Sequence, residues 1–355
     1  MSERADRLSA LVVAEGLDAL LVTDLFDVRW TCGFTGTSGL ALVGPELRVF
    51  VTDFRYVEQA AGQVMGFDRR RAETELFDAL PGALPDGELR LGFDDAELSV
   101  RRHAALRERL GDRVELVAAG GLGKRLRAVK DAGEVERIRA AAALADEALE
   151  AVLEGGLAGR AEREVALALE VAMRELGAEA ASFEPIVAAG AHGALPHAEP
   201  RDAEIPRDEL VVIDWGARLD GYCSDCTRTY ATGEVGEEAA AAHALVDRAR
   251  DAALAALRPG PTGRELDAVA RELIEAAGHG ERFGHGLGHG VGLEVHEGPR
   301  LGRTGDAPLA AGNVVTIEPG VYVPGRFGVR IEDLAVVGED GAEVLTGLDR
   351  TLRIV

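Results

Sequence analysis

Between residues 134 and 337 the chain runs twice through the same order of elements, and this internal repeat limits the folds open to it. Helical spacing over 134–153 is followed by Gly159-Arg160 and a second helix over 162–176. A strand at 183–188 and a hairpin at 210–232 come next. The order then recurs as helix 238–257, Gly263-Arg264, helix 265–277, an extended stretch at 283–296 and a hairpin at 313–337. Two such units predict a pseudo-twofold domain with the hairpins facing each other, and ligands favour the seam between such halves. Ahead of the repeat, residues 1 to 125 alternate helix-like and strand-like segments and read as a small α/β domain. Ala118–Gly123 is the best linker, and Asp131 with Glu134 makes a capping box where a long helix starts. A length of 355 residues suits two domains, 1–125 and 126–355.

Composition removes several classes of function. A formal charge of −23 repels nucleic acid and anionic membrane, so neither is expected as a partner. Mean hydropathy is +0.01 and no apolar run is long enough to span a bilayer, which predicts a soluble protein. The first residues, MSERADRLSALVVAEG, lack the apolar core of a signal peptide. Three cysteines, Cys32, Cys223 and Cys226, are too few for a disulfide framework, and a cytoplasmic location is expected. Cys223 and Cys226 would point to opposite sides of a strand, so they do not readily grip one ion.

The first hairpin of the repeat carries acids where a core is expected. Asp214 ends the apolar run Leu210-Val-Val-Ile, and Asp220-Gly221 is a two-residue turn signal. That turn pairs Leu219 with Tyr222, Gly216 with Asp225 and Asp214 with Thr227, which puts Asp214 and Asp225 on one face as diagonal neighbours. Gly216 opposite Asp225 would leave room for an ion. Two surface aspartates on a half-exposed hairpin are the alternative, but a buried carboxylate needs a partner. In the second hairpin Glu318 again ends an apolar run, and Arg330 and Glu332 share a strand face. A structural salt bridge is a serious alternative for Arg330.

Between the hairpins lies Phe283-Gly-His285-Gly-Leu-Gly-His289-Gly-Val-Gly, followed by His296-Glu297. His285 and His289 have the spacing of a zinc helix, but five glycines from 284 to 292 would each cost about 1 kcal/mol there. The segment must be extended or irregular. Three of the eight histidines fall in it, which favours a site. The ligand set is then Asp214, Asp225, His289, Glu318 and Glu332. Four carboxylates and one imidazole suit Mn²⁺, Co²⁺ or Fe²⁺ better than a structural zinc. Two divalent cations balance four carboxylates, which predicts a dinuclear centre.

These residues resemble the creatinase/aminopeptidase P/prolidase/methionine aminopeptidase superfamily. The resemblance rests on Asp214-Trp-Gly, Asp225-Cys-Thr-Arg-Thr, His285-Gly-Leu-Gly-His289-Gly, Val295-His296-Glu297, Glu318-Pro-Gly-Val-Tyr and Gly-Val-Arg330-Ile-Glu332-Asp, in the family's order. Ser182–Gly190 with Leu195-Pro-His197, Arg29–Gly36 and Arg127-Ala-Val-Lys130 extend it over nearly the whole chain. It implies a mixed α/β protein: a creatinase-like N-terminal α/β domain and a pseudo-twofold pita-bread catalytic domain, usually as a homodimer. Residues 1–125 count against methionine aminopeptidase, and five intact ligands count against creatinase.

The implied activity is cleavage of the Xaa-Pro bond at a peptide's N-terminus, as in aminopeptidase P. A prolidase acting only on dipeptides is the alternative, and a creatinase-like C–N hydrolase a lesser one. The resemblance implies two divalent ions, Mn²⁺ foremost with Co²⁺, Fe²⁺ or Zn²⁺ possible, and a hydroxide bridging them as nucleophile. It implies that Glu318 also shuttles a proton, that His285 and His296 hold substrate and steady the oxyanion, and that His197 contacts substrate. Thr227 and Arg330 would hydrogen-bond the ligands. Tyr322 is a weaker pocket candidate.

Overall fold

A computed structural model describes residues 2–355. Backbone contacts divide the chain into two compact units, Met1–Arg127 and Ala128–Val355.

The first unit contains α1 (Ser2–Ala14), β1 (Ala19–Val22), α2 (Leu25–Cys32), β2 (Gly39–Gly44), β3 (Leu47–Thr52), α3 (Val57–Gln63) and β4 (Asp68–Arg71). It continues through β5 (Leu89–Phe93), α4 (Val100–Leu110), β6 (Val114–Ala118) and α5 (Leu122–Arg127). One six-stranded mixed sheet runs β4-β3-β2-β1-β5-β6. Its central strands are apolar at every position because both faces are covered. Leu40 and Leu42 point into the core shared with Leu106 and Leu110 of α4, while Ala41 and Val43 point into the core shared with Leu8 and Val12 of α1. The stretch Ala118–Gly123 joins β6 to α5 inside this unit.

The second unit begins with α6 (Ala132–Leu153), α7 (Glu162–Glu175), β7 (Ala180–Ala181), β8 (Ile186–Ala189), β9 (Leu210–Trp215), β10 (Ala217–Leu219), β11 (Tyr222–Cys223) and β12 (Cys226–Ala231). It repeats the theme with α8 (Glu237–Ala256), α9 (Gly263–Ala276), β13 (Gly288–Gly290), β14 (Glu297–Leu301), β15 (Val314–Ile317), β16 (Gly320–Val323), β17 (Phe327–Arg330), β18 (Asp333–Val337) and β19 (Ala342–Val344). Capping boxes at Asp131/Glu134 and Thr262/Glu265 start α6 and α9. Each half has its own core. Leu149, Val165 and Leu169 pack under β9, whereas Val246, Leu266 and Ile274 pack under β15. No helix among the described residues is long and apolar enough to cross a membrane.

The strands depart from simple hairpins at positions that matter for the site. Leu219 pairs with Tyr222 and Asp214 with Thr227, as the Asp-Gly turn requires. Between them the ladder breaks, and a Cβ on Gly216 would lie 2.0 Å from the Ser224 carbonyl oxygen. The space expected there for an ion is filled by backbone. In the 313–337 region β15 pairs with β18, while β16 and β17 form a separate two-stranded sheet. Pro319, which has no N–H to give a ladder, sits at the first break. Glu318, Glu332 and Asp225 all occupy such interruptions, where a side chain is not committed to either sheet face.

Candidate metal centre

The segment from Phe283 to Gly290 is irregular and then extended, not helical. Its glycines permit backbone approach: a Cβ on Gly288 would sit 2.1 Å from the Thr316 carbonyl, and one on Gly290 2.1 Å from that of Gly298. Helix α9 holds the segment from the other side. Asp267 accepts from the Leu287 N–H at 3.0 Å, and Arg271, paired with Asp267, donates to the carbonyls of Phe283 (2.8 Å) and His285 (2.7 Å). Sequence reading missed this clamp. Its signal is an acid and an arginine four residues apart on the buried face of a helix.

His289 is thereby fixed in β13. Its Nδ1 lies 3.1 Å from the Gly290 carbonyl, which only accepts, so the proton sits on Nδ1. Nε2 then turns a lone pair toward the acids, 3.6 Å from Asp225 Oδ2 and 3.3 Å from Glu318 Oε1. Donor atoms of Asp225, His289 and Glu332 all lie within 4.8 Å of one another. Asp214 and Glu318 are not in that tight group but line the same cleft. Thr316, which sequence reading passed over, ties two of these residues together. It accepts from the His289 N–H at 3.1 Å and donates to Glu318 Oε1 at 3.1 Å.

Thr227 and Arg330 organise the rest. Thr227 is fully buried, donates to Glu332 Oε2 at 2.6 Å and accepts from Arg330 Nε at 3.0 Å. Arg330 also donates to Asp214 Oδ2 at 2.5 Å, to the Tyr322 hydroxyl at 2.8 Å and to the Pro196 carbonyl at 3.2 Å. The salt bridge weighed for Arg330 is therefore present, and it is made to a candidate ligand. Tyr322 in turn lies 2.9 Å from His285 Nε2, while His285 Nδ1 lies 2.8 Å from the Gly286 carbonyl. Both nitrogens of His285 are engaged. His296 is exposed in the cleft, its ring 4.3 Å from that of His289, and His197 lines the same cleft of about 1200 Å³.

The electrostatics call for cations. Burial pushes the carboxyls of Asp225, Glu332 and Glu318 up, and repulsion among the acids adds to it. Asp214 Oδ1 is buried without a hydrogen-bond partner. Burial pushes the His289 imidazole down, which keeps it neutral and able to ligate. A hard, oxygen-rich donor set with one available imidazole lone pair fits a divalent cation. Arg330 changes the charge balance drawn from sequence. With its guanidinium counted, one divalent cation leaves one negative charge and two leave one positive, so charge balance alone does not choose between one ion and two.

Cys223 and Cys226 are buried and free, with Sγ directed at the carbonyls of Leu293 and Glu332 respectively. Trp215 and Tyr222 are core residues, bonded to the Ala145 carbonyl and to Glu134.

Residues 136–339 match Metallopeptidase family M24, and residues 4–129 match the Creatinase/Prolidase N-terminal domain. A protein described as Xaa-Pro dipeptidase of Pyrococcus furiosus is 36% identical over 360 residues, covering 99% of this chain and 100% of that one. The structure of a Bacillus anthracis Xaa-Pro dipeptidase superposes with a TM-score of 0.95 at 38% identity, over 100% of this chain and 99% of that one. The X-Pro aminopeptidase structure from Thermotoga maritima does so with 0.90 at 36% identity, over 99% and 100%. The resemblance read from the motifs thus holds across both regions, and the fold is a pita-bread catalytic domain preceded by a creatinase-type domain. The chain belongs to metallopeptidase family M24.

Proposed function

We propose that this chain is an Xaa-Pro dipeptidase that uses two divalent cations, Mn²⁺ foremost, held by Asp214, Asp225, His289, Glu318 and Glu332. This reverses the order in which sequence alone ranked aminopeptidase P and prolidase. The observation that carries it is Arg300. Arg300 of β14 stands directly opposite His289 of β13, so the two side chains share one face of the ladder and both line the cleft. It makes no ion pair with the described residues. A dipeptide carries its free carboxylate one residue beyond the cut bond, where such a guanidinium can hold it, and a longer peptide has a neutral amide there. The P. furiosus and B. anthracis relatives, both described as Xaa-Pro dipeptidases, support the reading.

Bound cations supply Lewis-acid polarisation of the carbonyl and lower the pKa of water. The chain's own residues do the rest. Glu318 would carry a proton to the proline nitrogen as it leaves, the role the family resemblance implies for it. His285, with Nδ1 at the Gly286 carbonyl and Nε2 at the Tyr322 hydroxyl, and His296 both line the cleft and would hold the substrate and steady the oxyanion. Apolar lining from Phe183, Ile186 and Leu301 suits a pyrrolidine ring. A homodimer and a cytoplasmic location belong to the same proposal.

The T. maritima relative and the open cleft, roomier than a dipeptide needs, favour aminopeptidase P as a second reading. Mn²⁺-loaded protein assayed on Gly-Pro, Gly-Pro-Leu and a proline-free tripeptide separates the two. The proposal expects cleavage of Gly-Pro alone, and an Arg300→Ala variant whose KM rises about 10–100-fold, equivalent to losing a charged hydrogen bond. Equal cleavage of Gly-Pro-Leu with no effect of Arg300→Ala selects aminopeptidase P.

A further inference from the structure

Glu162 opens α7, where a glutamate usually faces solvent and complements the helix dipole. Here it is 1% exposed. Its carboxylate gathers both ends of the loop that carries His197. At the start, the Ala189 N–H donates to Oε1 at 3.0 Å, and His192 Nδ1 lies 3.0 and 2.9 Å from Oε1 and Oε2. At the end, the Arg201 N–H and Nε donate to Oε2, both at 3.1 Å, and Nη2 donates to Oε1 at 3.1 Å. The backbone of α7 joins in, since the Arg163 N–H donates to the Arg201 carbonyl at 3.0 Å. Burial alone would push this carboxyl up. Arg201, the Ala189 N–H and His192 outweigh it and hold the carboxyl below the usual range, so the anchor stays ionised.

The crest of the loop is fixed elsewhere. It packs on β17 so tightly that a Cβ on Gly328 would sit 1.7 Å from the Gly193 carbonyl oxygen. Next to His197, the Pro196 carbonyl accepts from Arg330, the residue that also grips Asp214. The foot of the loop hangs on one buried acid and its crest on the guanidinium that orders the acidic cluster.

We propose that Glu162 is a positioning residue: by closing the Ala189–Arg201 loop on its carboxylate, it sets where His197 meets the substrate. Glu162 touches neither the substrate nor any proposed cation ligand. The proposal rests on the reading that the cleft binds Xaa-Pro peptides with His197 in contact.

The test is a double-mutant cycle with Mn²⁺-loaded protein on Gly-Pro, comparing wild type, Glu162→Gln, His197→Ala and the double variant. Hydrogen exchange of residues 190–200 and metal content are measured alongside. Glu162→Gln should lower kcat/KM about 10–100-fold, the scale of a misplaced contact. It should leave metal content unchanged, speed exchange across 190–200, and cost little on the His197→Ala background. Arg201→Met, at a half-exposed side chain that does not threaten folding, should act in the same direction and carries the test if Glu162→Gln does not fold. Full additivity with His197→Ala, or unchanged exchange in the loop, overturns the proposal. A wild type inactive on every Xaa-Pro peptide sinks the functional reading instead, and the exchange arm still decides whether Glu162 anchors the loop.

Discussion

Replacing Asp225 with asparagine tests the cation site by a change of opposite sign in two states. Asp225 is 4% exposed, and burial together with Glu332, Asp214 and Glu318 disfavours its charge. Asparagine keeps its shape and removes one source of that repulsion. The metal-free variant should therefore unfold no earlier than metal-free wild type, the reverse of what deleting a supporting buried contact does. Cation binding should behave the other way. A ligand at 100 times its Kd stabilises the state it binds by about 2.7 kcal/mol. For a unit the size of Ala128–Val355, unfolding entropy of about 2.1 cal/mol/K per residue converts this into a Tm rise of about 5–6 °C per cation. The assay is calorimetry of chelator-stripped protein titrated with Mn²⁺, beside the same titration of Asp225→Asn. Wild type should rise by at least that much, and the variant should lose most of the rise. An equal Mn²⁺-induced shift in both proteins would refute the assignment of Asp225 as a ligand, and a metal-free variant that melts well below wild type would refute the account of why the site needs a cation.

Three further outcomes follow from particular contacts. Thr227→Val removes the hydroxyl that joins Glu332 to Arg330 while keeping the side chain's volume, so Mn²⁺ affinity by calorimetric titration should fall about 10–100-fold; unchanged affinity would make Thr227 a packing residue only. Asp333 is 1% exposed and accepts from Arg228, Arg250 and Thr346, so Asp333→Asn leaves buried guanidinium charge short of a partner and should cost about 3–5 kcal/mol in denaturant unfolding, a loss under 1 kcal/mol being contrary. Asp146, near the C-terminal half of α6, has its carboxyl pushed by burial from 3.8 to about 6. The folded state therefore holds this proton more tightly, and its contribution to stability, full below pH 3.8, is lost as pH rises through about 6. Asp146→Asn keeps the acceptor for the Gly347 N–H, so its stability relative to wild type should grow between pH 4 and 7 by up to about 3 kcal/mol; a gap that does not change with pH would be contrary.

Much of the centre was legible in the chain because its signals are local conflicts. Asp214 and Glu318 each end an apolar run, and a buried carboxylate demands a partner wherever the fold places it. The Asp220-Gly221 turn set the pairing of Asp214 with Thr227, since a two-residue loop leaves a hairpin no other register. Five glycines alternating with histidines excluded a helix by propensity alone.

What the sequence could not carry are contacts between residues far apart along it. Arg330 reads equally well as a ligand partner or a structural ion pair until the fold brings Asp214, 116 positions away, to 2.5 Å. His285 carries the same signal as His289, and only its surroundings, Tyr322 on one nitrogen and the Gly286 carbonyl on the other, give it a different part. Gly216 looked like room for an ion until the Ser224 carbonyl filled it. Glu162 stands at the start of α7 with no sequence signal to set it apart, and its burial under Arg201 and His192 appears only once the loop has closed. The sequence by itself determined the order of the long helices, the Asp220-Gly221 register and which side chains must seek partners, because propensity and burial cost act residue by residue, whereas the hairpin expected over 313–337 is split between two sheets. The tertiary structure decided who those partners are, because hydrogen bonds and charge pairs depend on distances that no spacing along the chain encodes.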